Sequence, residues 1–255
     1  MERVEITCFV DELNQFEDRT DITSLTINIK HRSESVFKNL DLDWLKPLVN
    51  LEELVISGFG NITNTDGLLS LSKLKQFHVK ETYIGDLTTL RNNLDLEAIV
   101  LLESDVETYE NIYLFCGEDL ELDVDISGLD VCKKMTRFVC HYHIKNKDVI
   151  ASWNNLKSLV LKREIKPEDM KILQSLKNLR YITIKNSDID LSQSSFPSLQ
   201  YLDMISCTIH KSECIDAPNL ETVYIRNCQL VDFRGFNYDN HPNIKIDMTH
   251  SRLTK

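Results

Sequence analysis

The fold is decided by residues 199–209, which read Leu-Gln-Tyr-Leu-Asp-Met-Ile-Ser-Cys-Thr-Ile. The same spacing, Leu-x-x-Leu-x-Leu with a further apolar residue about five places later, returns every 20 to 24 residues along most of the chain. Its clearest copies begin at Leu51, Leu156, Leu179, Leu199 and Leu220. A repeat of this length and spacing predicts a solenoid, in which each copy buries its apolar face against its neighbours.

Alignment on the first position of the phrase gives the register of the whole chain. Copies start near 22, 51, 74, 96, 117, 135, 156, 179, 199, 220 and 243, and a degenerate first copy starts at Met1, with Val4 and Ile6 as its strand residues. The copies at 117 and 243 match weakly, and terminal copies are expected to be atypical. We therefore predict one repeat domain over 1–255, with 1–21 as an N-terminal cap or degenerate first repeat, 22–242 as repeats and 243–255 as a C-terminal cap.

Each copy is expected to supply one short parallel strand whose alternate residues point inward and outward. The ninth position should turn inward where the strand ends. That column reads Thr82, Ser104, Ser187, Cys207, Cys228 and Ser251. On the opposite side of the solenoid, Pro167–Leu173 reads as a helix with proline in its first turn, and Ser35–Leu48 is a second helical candidate.

The phrase resembles that of the leucine-rich repeat superfamily, best in residues 199–209 and 220–230. The resemblance covers roughly residues 20 to 253. It implies an α/β solenoid, a leucine-rich repeat horseshoe with a concave parallel β-sheet and a mostly irregular or short-helical convex side. The repeat length is similar to that of intracellular protein phosphatase regulators. The C-terminal copies are similar to those of cytosolic immune receptors and of ubiquitin ligase substrate receptors.

The chain shows the features of an intracellular protein. Residues 1–5 lack the basic and apolar regions of a signal peptide. The longest apolar run, Ala98–Leu102, is too short to cross a membrane. The seven cysteines are odd in number and scattered, as expected of reduced thiols. We therefore expect a cytoplasmic location, with the nucleus possible, and no membrane association.

Charge is divided unevenly between the two halves. Residues 1–130 carry 10 Lys and Arg against 27 Asp and Glu, a net of −17, whereas residues 131–255 carry 19 against 13, a net of +6. Outward positions follow the same division. In the acidic half they hold Glu53, His78, Lys80, Glu81, Glu103, Asp119, Glu121 and Asp123. Uniform charge would serve solubility equally well, so the asymmetry favours a binding role.

The predicted partner-binding surface is a basic strip dotted with tyrosines on the concave face of the C-terminal half. Its residues are Arg137, His141, Tyr142, Lys162, Arg163, Tyr181, Lys185, Tyr201, Tyr224 and Arg226. Tyr and Arg are enriched at binding hot spots, and Arg pairs with carboxylate and phosphate. We therefore expect a protein partner with an acidic or phosphorylated segment. The alternative is a merely solvated surface. Nucleic acid is not expected, since the net charge is −11, and the oligomeric state stays open.

The cysteines and histidines at 132–143 invite a metal site, but the register argues against one. Cys140 is expected inward and His141 outward, and Cys132 and Cys140 lack the short spacing usual in zinc sites. The acidic residues Asp119, Glu121 and Asp123 read as an exposed strand face. We predict no metal and no cofactor.

Catalysis is not predicted either, because no phosphate loop, nucleophile elbow or metalloprotease helix occurs in the sequence. The prediction is a non-catalytic protein-protein interaction scaffold or adaptor. The alternative is a substrate-recognition or regulatory subunit of a larger assembly, such as a ubiquitin ligase receptor or a protein phosphatase regulator. Residues 33–47 would then be its docking segment, although they read equally well as a cap.

Overall fold

The structure is a computed structural model, and it describes residues 2–9, 12–13, 19–30, 39–102, 123–163, 165–191, 195–210, 216–231 and 245–254. The chain divides into two compact units. The first comprises Met1–Lys134 and Tyr142–Val149, and the second comprises Met135–His141 and Ile150–Lys255.

The first unit is built on parallel strands. They are β1 (Glu2–Cys8), β2 (Ile22–Ile29), β3 (Asn39–Asp41), β4 (Glu53–Asn64), β5 (Gln76–Ile84), β6 (Ala98–Leu102), β7 (Asp123–Asp125) and β9 (His143–Lys145). β1, β2, β4, β5 and β6 pair in that order, all parallel. β3 pairs with the far end of β4, and β7 pairs with β9.

The second unit contains two parallel sheets. Its strands are β8 (Arg137–Cys140), β10 (Ser158–Leu161), β11 (Tyr181–Lys185), β12 (Asp188–Asp190), β13 (Tyr201–Ile205), β14 (Thr208–His210), β15 (Thr222–Arg226), β16 (Gln229–Val231), β17 (Lys245–Asp247) and β18 (Arg252–Thr254). The principal sheet has the order β8-β10-β11-β13-β15-β17. The secondary sheet has the order β12-β14-β16-β18.

Strand pairing confirms most of the predicted register. In the second unit, Leu159, Ile182, Leu202 and Val223 lie side by side on successive strands, each at the fourth position of its copy. Lys245–Asp247 extends the principal sheet in the predicted register of the copy at 243. In the first unit, Val4 pairs with Leu25 as predicted for the degenerate first copy.

The register of the copy at 117 needs a correction. Val124 pairs with Ile144, the tenth residue of the copy that begins at 135. The prediction placed Asp123 on the principal strand of this copy, whereas Asp123–Asp125 form β7, which pairs with the second strand of the copy at 135. The start of the copy lies outside the described residues. This copy lacks two of the apolar residues of the phrase, so the sequence determines its register poorly.

A tight corner separates the principal strand of a copy from its secondary strand. The eighth position of several copies has a positive φ of 50° to 56°, at Glu81, Asn186, Ser206, Asn227 and His250. This left-handed conformation turns the chain sharply, so that the ninth residue points into the core. Asn tolerates that conformation better than most other residues do.

The ninth position forms a hydrogen-bonded ladder in the second unit, as its inward orientation predicts. The N–H of Cys207 donates to Sγ of Cys228 at 3.4 Å, and the N–H of Cys228 donates to Oγ of Ser251 at 3.2 Å. In the other direction, Cys228 donates to the carbonyl of Met204 at 3.4 Å and Ser251 to that of Ile225 at 2.9 Å. The column therefore satisfies backbone groups that the corner would leave buried and unpaired. Ser104 lies outside the described residues.

The segments after the strands are short 3₁₀ turns, consistent with the predicted short-helical side. The predicted helix at Pro167–Leu173 is confirmed as a 3₁₀ turn (Pro167–Asp169) that continues into α1 (Met170–Ser175). At its start, the N–H of Lys166 donates to the carboxylate of Asp169 at 3.1 Å.

The helix predicted for Ser35–Leu48 is wrong in its described part. Residues 39–41 form β3, and Asp43–Leu45 form a 3₁₀ turn. Leu40 and Leu45 are buried, so the described part of residues 33–47 belongs to the core of the first unit. Residues 33–38 lie outside the described part of the chain. The buried leucines favour a cap over a docking segment.

The apolar positions of the repeat fill the interior, as the phrase predicts. In the second unit Trp153 is fully buried, and its ring lies 5.0 Å from that of Phe138. Among the residues described, no helix is long and apolar enough to cross a membrane.

Candidate functional site

Three tyrosines form a row across the outward face of the principal sheet in the second unit. Tyr181 and Tyr201 pair on adjacent strands at the third position of their copies. Tyr224 pairs with Asp203, so it lies two residues further along its strand than Thr222, the residue opposite Tyr201. The ring centroids of Tyr181 and Tyr201 lie 6.3 Å apart, and those of Tyr201 and Tyr224 lie 5.6 Å apart. We call these residues the tyrosine row.

The tyrosine row is accessible from solvent. Tyr181 is 48% exposed, and Tyr201 and Tyr224 are half-buried. Burial, followed by the nearby carboxylate of Asp203, raises the pKa of Tyr201. Within the described part of the chain, the three hydroxyl groups make no hydrogen bond. The row therefore offers apolar ring surface together with three free polar groups, a combination common at protein interfaces.

Arg226 is held at one end of the row by an ion pair. Its Nη2 lies 2.5 Å from Oδ2 of Asp203, and its Nε lies 3.3 Å from Oδ1. The Asp203 carboxylate is 7% exposed, and the guanidinium lies 5.5 Å from the centroid of the Tyr224 ring. The hydrogen bond to Asp203 raises the pKa of Arg226. Because Asp203 offsets its charge, Arg226 adds little net positive potential to the face.

The other predicted cations are spread along the same sheet. Lys185 is the last residue of β11, at the seventh position of its copy, and it is half-buried. It pairs with Ile205, which in turn pairs with Arg226. Lys162 and Arg163, just after β10, are also half-buried. Arg137 at the start of β8 is exposed. The structure thus brings the tyrosines, Lys185 and Arg226 together on three neighbouring strands, and leaves Arg137 two strands away from Tyr181.

Two residues of the predicted strip are placed differently from the prediction. His141 is 8% exposed and Tyr142 is 5% exposed, so neither is available at the surface. The hydroxyl of Tyr142 donates to the carbonyl of Thr82 at 3.3 Å, and its ring contacts that of Tyr83. The reason is that β8 ends at Cys140, whereas β11, β13 and β15 each continue through the seventh position.

Two of the acidic residues predicted at outward positions of the first unit, Glu53 and Asp123, have partners within the unit. Glu53 accepts a hydrogen bond from the hydroxyl of Ser24 at 2.9 Å. Asp123 lies in the short strand β7, not on a principal strand as predicted, and forms an ion pair of 2.9 Å with Lys145. Glu103, Asp119 and Glu121 lie outside the described residues.

The cysteines and histidines at 132–143 belong to the interior rather than to a site. Cys132 and Cys140 are buried free thiols, and burial raises the pKa of Cys132 to about 11. His143 is half-buried, and His141 is buried instead of outward as predicted. In the portion of the chain that the structure describes, no group of three or more residues could hold a metal ion.

Sequence reasoning missed the pairing of Arg226 with Asp203, although the signal was present. Asp203 occupies the fifth position of one copy and Arg226 the seventh position of the next, and neighbouring strands are about 4.8 Å apart. A long Arg side chain spans that diagonal. The prediction considered the charges at the seventh position of successive copies without those at the fifth position. It therefore overestimated the positive charge of the strip.

Comparison with known proteins identifies the fold. No family model matches the chain and no curated protein resembles it closely in sequence. Among solved structures, an internalin (InlF) from Listeria monocytogenes is 18% identical with a TM-score of 0.56, over 92% of this chain and 76% of that one. The receptor TLR13, in complex with a single-stranded RNA, is 14% identical with a TM-score of 0.60, over 96% of this chain and 35% of that one.

A third structure is the Arabidopsis receptor kinase HAESA in complex with the peptide hormone IDA and the co-receptor SERK1. It is 12% identical with a TM-score of 0.58, over 98% of this chain and 41% of that one. Together with the parallel strands and the confirmed repeat register, these similarities show that this chain has the leucine-rich repeat fold.

Proposed function

We propose that this chain is a non-catalytic scaffold that binds a partner protein on the outward face of the principal sheet in the second unit. The observation that supports this most directly is the tyrosine row, three accessible aromatic rings in sequence on adjacent strands. Large exposed rings on a rigid sheet lose little conformational entropy when they bind, which makes them effective contact residues.

Positive charge around the tyrosine row supports a partner with an acidic or phosphorylated segment, as the sequence predicts. Lys185, Lys162 and Arg163 border the row on the side of the carboxyl ends of the strands, and residues 131–255 carry a net charge of +6. An acidic or phosphorylated segment would be attracted to this border. The attraction would act mainly on the association rate and would weaken with salt.

The solved structures that this chain resembles include complexes with bound ligands, which is consistent with a binding role. HAESA was solved with a peptide hormone and a co-receptor, and TLR13 with a single-stranded RNA. Under this proposal the present chain takes a protein ligand, since residues 1–255 carry a net charge of −11, which opposes a phosphate backbone.

Affinity capture from lysate of the source cells, read by mass spectrometry, tests the proposal. Tyr181→Ala and Lys185→Glu are compared with the unmodified protein and with Lys171→Glu, an exposed position of α1 that makes the same charge change. The proposal expects one or more proteins to be lost with the first two variants and retained with Lys171→Glu. Identical capture lists for all four proteins would overturn it.

The identity of the captured protein distinguishes an adaptor from a recognition or regulatory subunit of a larger assembly. A catalytic component of a ubiquitin ligase or of a protein phosphatase would make this chain a recognition or regulatory subunit. Capture of a protein outside such assemblies would make it an adaptor.

A further inference from the structure

The second position of each copy lies immediately before the principal strand, and the first unit balances the charge of this column. The column reads Glu52, Lys75 and Glu97 there. Nζ of Lys75 lies 2.8 Å from Oε2 of Glu52. That hydrogen bond, followed by the charge of the Glu52 carboxylate, raises the pKa of Lys75, and the charge of Glu97 adds to the effect. The cation of the first unit is therefore compensated by both neighbouring copies.

The second unit leaves two cations of the same column uncompensated. Lys157 and Arg180 immediately precede β10 and β11, and the N–H of Arg180 donates to the carbonyl of Lys157 at 2.9 Å. Both side chains are exposed, and neither makes an ion pair within the residues described. The backbones of adjacent strands are about 4.8 Å apart, and like charges directly opposite each other are destabilising. A bound anion would remove this repulsion.

The surroundings of these two cations add charge and ring surface but no acid. Arg137 is exposed, pairs with Ser158 and likewise makes no ion pair in the described part of the chain. The column continues beyond Arg180 with the neutral Gln200. Tyr181, the most exposed ring of the tyrosine row, directly follows Arg180. We call Arg137, Lys157 and Arg180 the basic edge.

The charge of the basic edge favours a phosphoryl group over a carboxylate. A carboxylate brings one negative charge, whereas a phosphorylated side chain brings about 1.5–2 charges and three acceptor oxygens. Arg binds phosphate through its planar fork, and Lys binds it as a point charge. One phosphoryl group would therefore compensate Lys157 and Arg180 together. A nucleic acid also carries phosphates, but the net charge of −11 opposes an extended polyanion.

We propose that the basic edge binds a phosphorylated residue of the partner protein, with the phosphoryl group between Lys157 and Arg180 and the flanking residues against the Tyr181 ring. This inference rests on the proposed function and narrows it, because it commits to a phosphorylated segment and to the amino-terminal edge of the principal sheet. The unphosphorylated segment lacks the compensating charge. Phosphorylation of the partner therefore controls the interaction.

Peptide libraries with a fixed central residue and randomised flanks test the proposal. One library carries phosphoserine, phosphothreonine and phosphotyrosine in equal amounts at the centre, a second carries the unmodified residues, and a third carries Glu. Each fluorescein-labelled library is passed over the immobilised full chain. The phosphorylated library should be retained about tenfold more than either of the others, the difference expected of a charge-assisted contact that only phosphate completes.

Charge-reversal variants locate the binding. Lys157→Glu/Arg180→Glu should abolish the preference for phosphorylated peptides. Lys171→Glu/Arg252→Glu makes the same change of charge at exposed positions of the same unit and should keep the preference. Circular dichroism confirms that each variant is folded.

A single substitution tests the repulsion between the two cations without any ligand. Arg180→Glu places a carboxylate beside Lys157, as Glu52 lies beside Lys75 in the first unit. The thermal midpoint of the unliganded protein should therefore rise. A midpoint that does not rise would show that the two cations do not repel each other, and the proposal would fall.

Four results with the libraries would also overturn the proposal. They are equal retention of the phosphorylated and unmodified libraries, equal retention of the Glu library, an unchanged preference in Lys157→Glu/Arg180→Glu, and stronger competition by oligouridylate than by phosphopeptide. If these results occur while cellular capture is lost with Tyr181→Ala, the proposed function stands and the phosphorylated partner is wrong. If capture also persists in Tyr181→Ala and Lys185→Glu, the proposed function fails as well.

Discussion

The guanidinium of Arg226 holds the buried carboxylate of Asp203 through two of its nitrogen atoms, at 2.5 and 3.3 Å. The two residues come from adjacent copies, so the ion pair links neighbouring repeats as well as neighbouring strands. Asp203 lies on the outward face yet is among the most buried charged residues in the described part of the chain. Asp203 is paired with Arg226, lies opposite Tyr224 on the adjacent strand, and contributes to the raised pKa of Tyr201.

Removing Arg226 alone should therefore destabilise the protein. Arg226→Met leaves a buried carboxylate with no counter-ion, which is expected to cost about 1–3 kcal/mol, discounted because the Arg side chain is partly exposed. Replacing both partners, in Asp203→Leu/Arg226→Met, should recover most of that loss. Urea denaturation of the two variants measures the difference. A double variant no more stable than the single one would contradict this reading of the pair.

The left-handed corner at the eighth position predicts a stabilising substitution. Ser206 has a φ of 54°, which costs a non-glycine residue energy, whereas the equivalent residues 186 and 227 are Asn. Ser206→Asn is expected to raise the free energy of unfolding by about 0.5–1 kcal/mol. Ser198→Asn, outside the left-handed region, is the matched control and should give no gain. Thermal melting of both variants checks the comparison.

The turn after β5 gives a prediction for the first unit. Oδ1 of Asp86 accepts a hydrogen bond from the N–H of Thr88 at 2.7 Å, at the start of a 3₁₀ turn. Asp86→Ala removes this acceptor and should cost about 1 kcal/mol, while Asp86→Asn retains an acceptor and should cost less. Chemical denaturation distinguishes the two. Equal losses for Ala and Asn would mean that the carboxylate acts through its charge.

Buried Cys132 predicts a pH dependence of stability. Burial, followed by the carboxylate of Asp130, raises the pKa of its thiol to about 11, against about 8.5 for an unfolded thiol. The unfolded chain therefore releases this proton first. The contribution of the protonated Cys132 thiol to the free energy of unfolding is therefore fully present below about pH 8.5. It is lost as the pH rises towards 11, by about 3 kcal/mol in all.

Comparison with Cys132→Ala isolates that contribution from the other groups that titrate at high pH. The free energy of unfolding should fall less steeply between pH 8.5 and 11 in the variant than in the unmodified protein. Parallel curves would show that the thiol ionises equally well in both states. Urea denaturation at a series of pH values provides the measurement.

The repeat phrase predicted the strands well because its signal is redundant. An error of one residue would send a whole strand's apolar side chains to solvent, so copies such as Leu199–Ile209 admit one register. The helix expected from Ser35 failed in residues 39–48 because apolar residues at mixed spacing fit a strand and a turn as well as a helix. The phrase does not encode the length of a strand, which is why the burial of His141 and Tyr142 was missed.

The candidate site was predicted in part. The tyrosines and Lys185 follow directly from the register, since each occupies an outward position. The neutralisation of Arg226 by Asp203 depends on a contact between copies, which requires two columns to be considered together. The secondary strands after the corner were not predicted either, because no glycine marks the positive φ at Ser206 or Asn227.

The ladder at the ninth position gives the repeat array a polarity. The amide of Cys207 relies on the side chain of Cys228, and the amide of Cys228 relies on that of Ser251, so at this position these two copies depend on the copy that follows. Shortening the chain from its C-terminal side removes the side-chain acceptors of these two ninth-position amides, whereas shortening it from the other side leaves both acceptors in place. A chimera that grafts new repeats after residue 231 must therefore begin with a hydrogen-bond acceptor in that column.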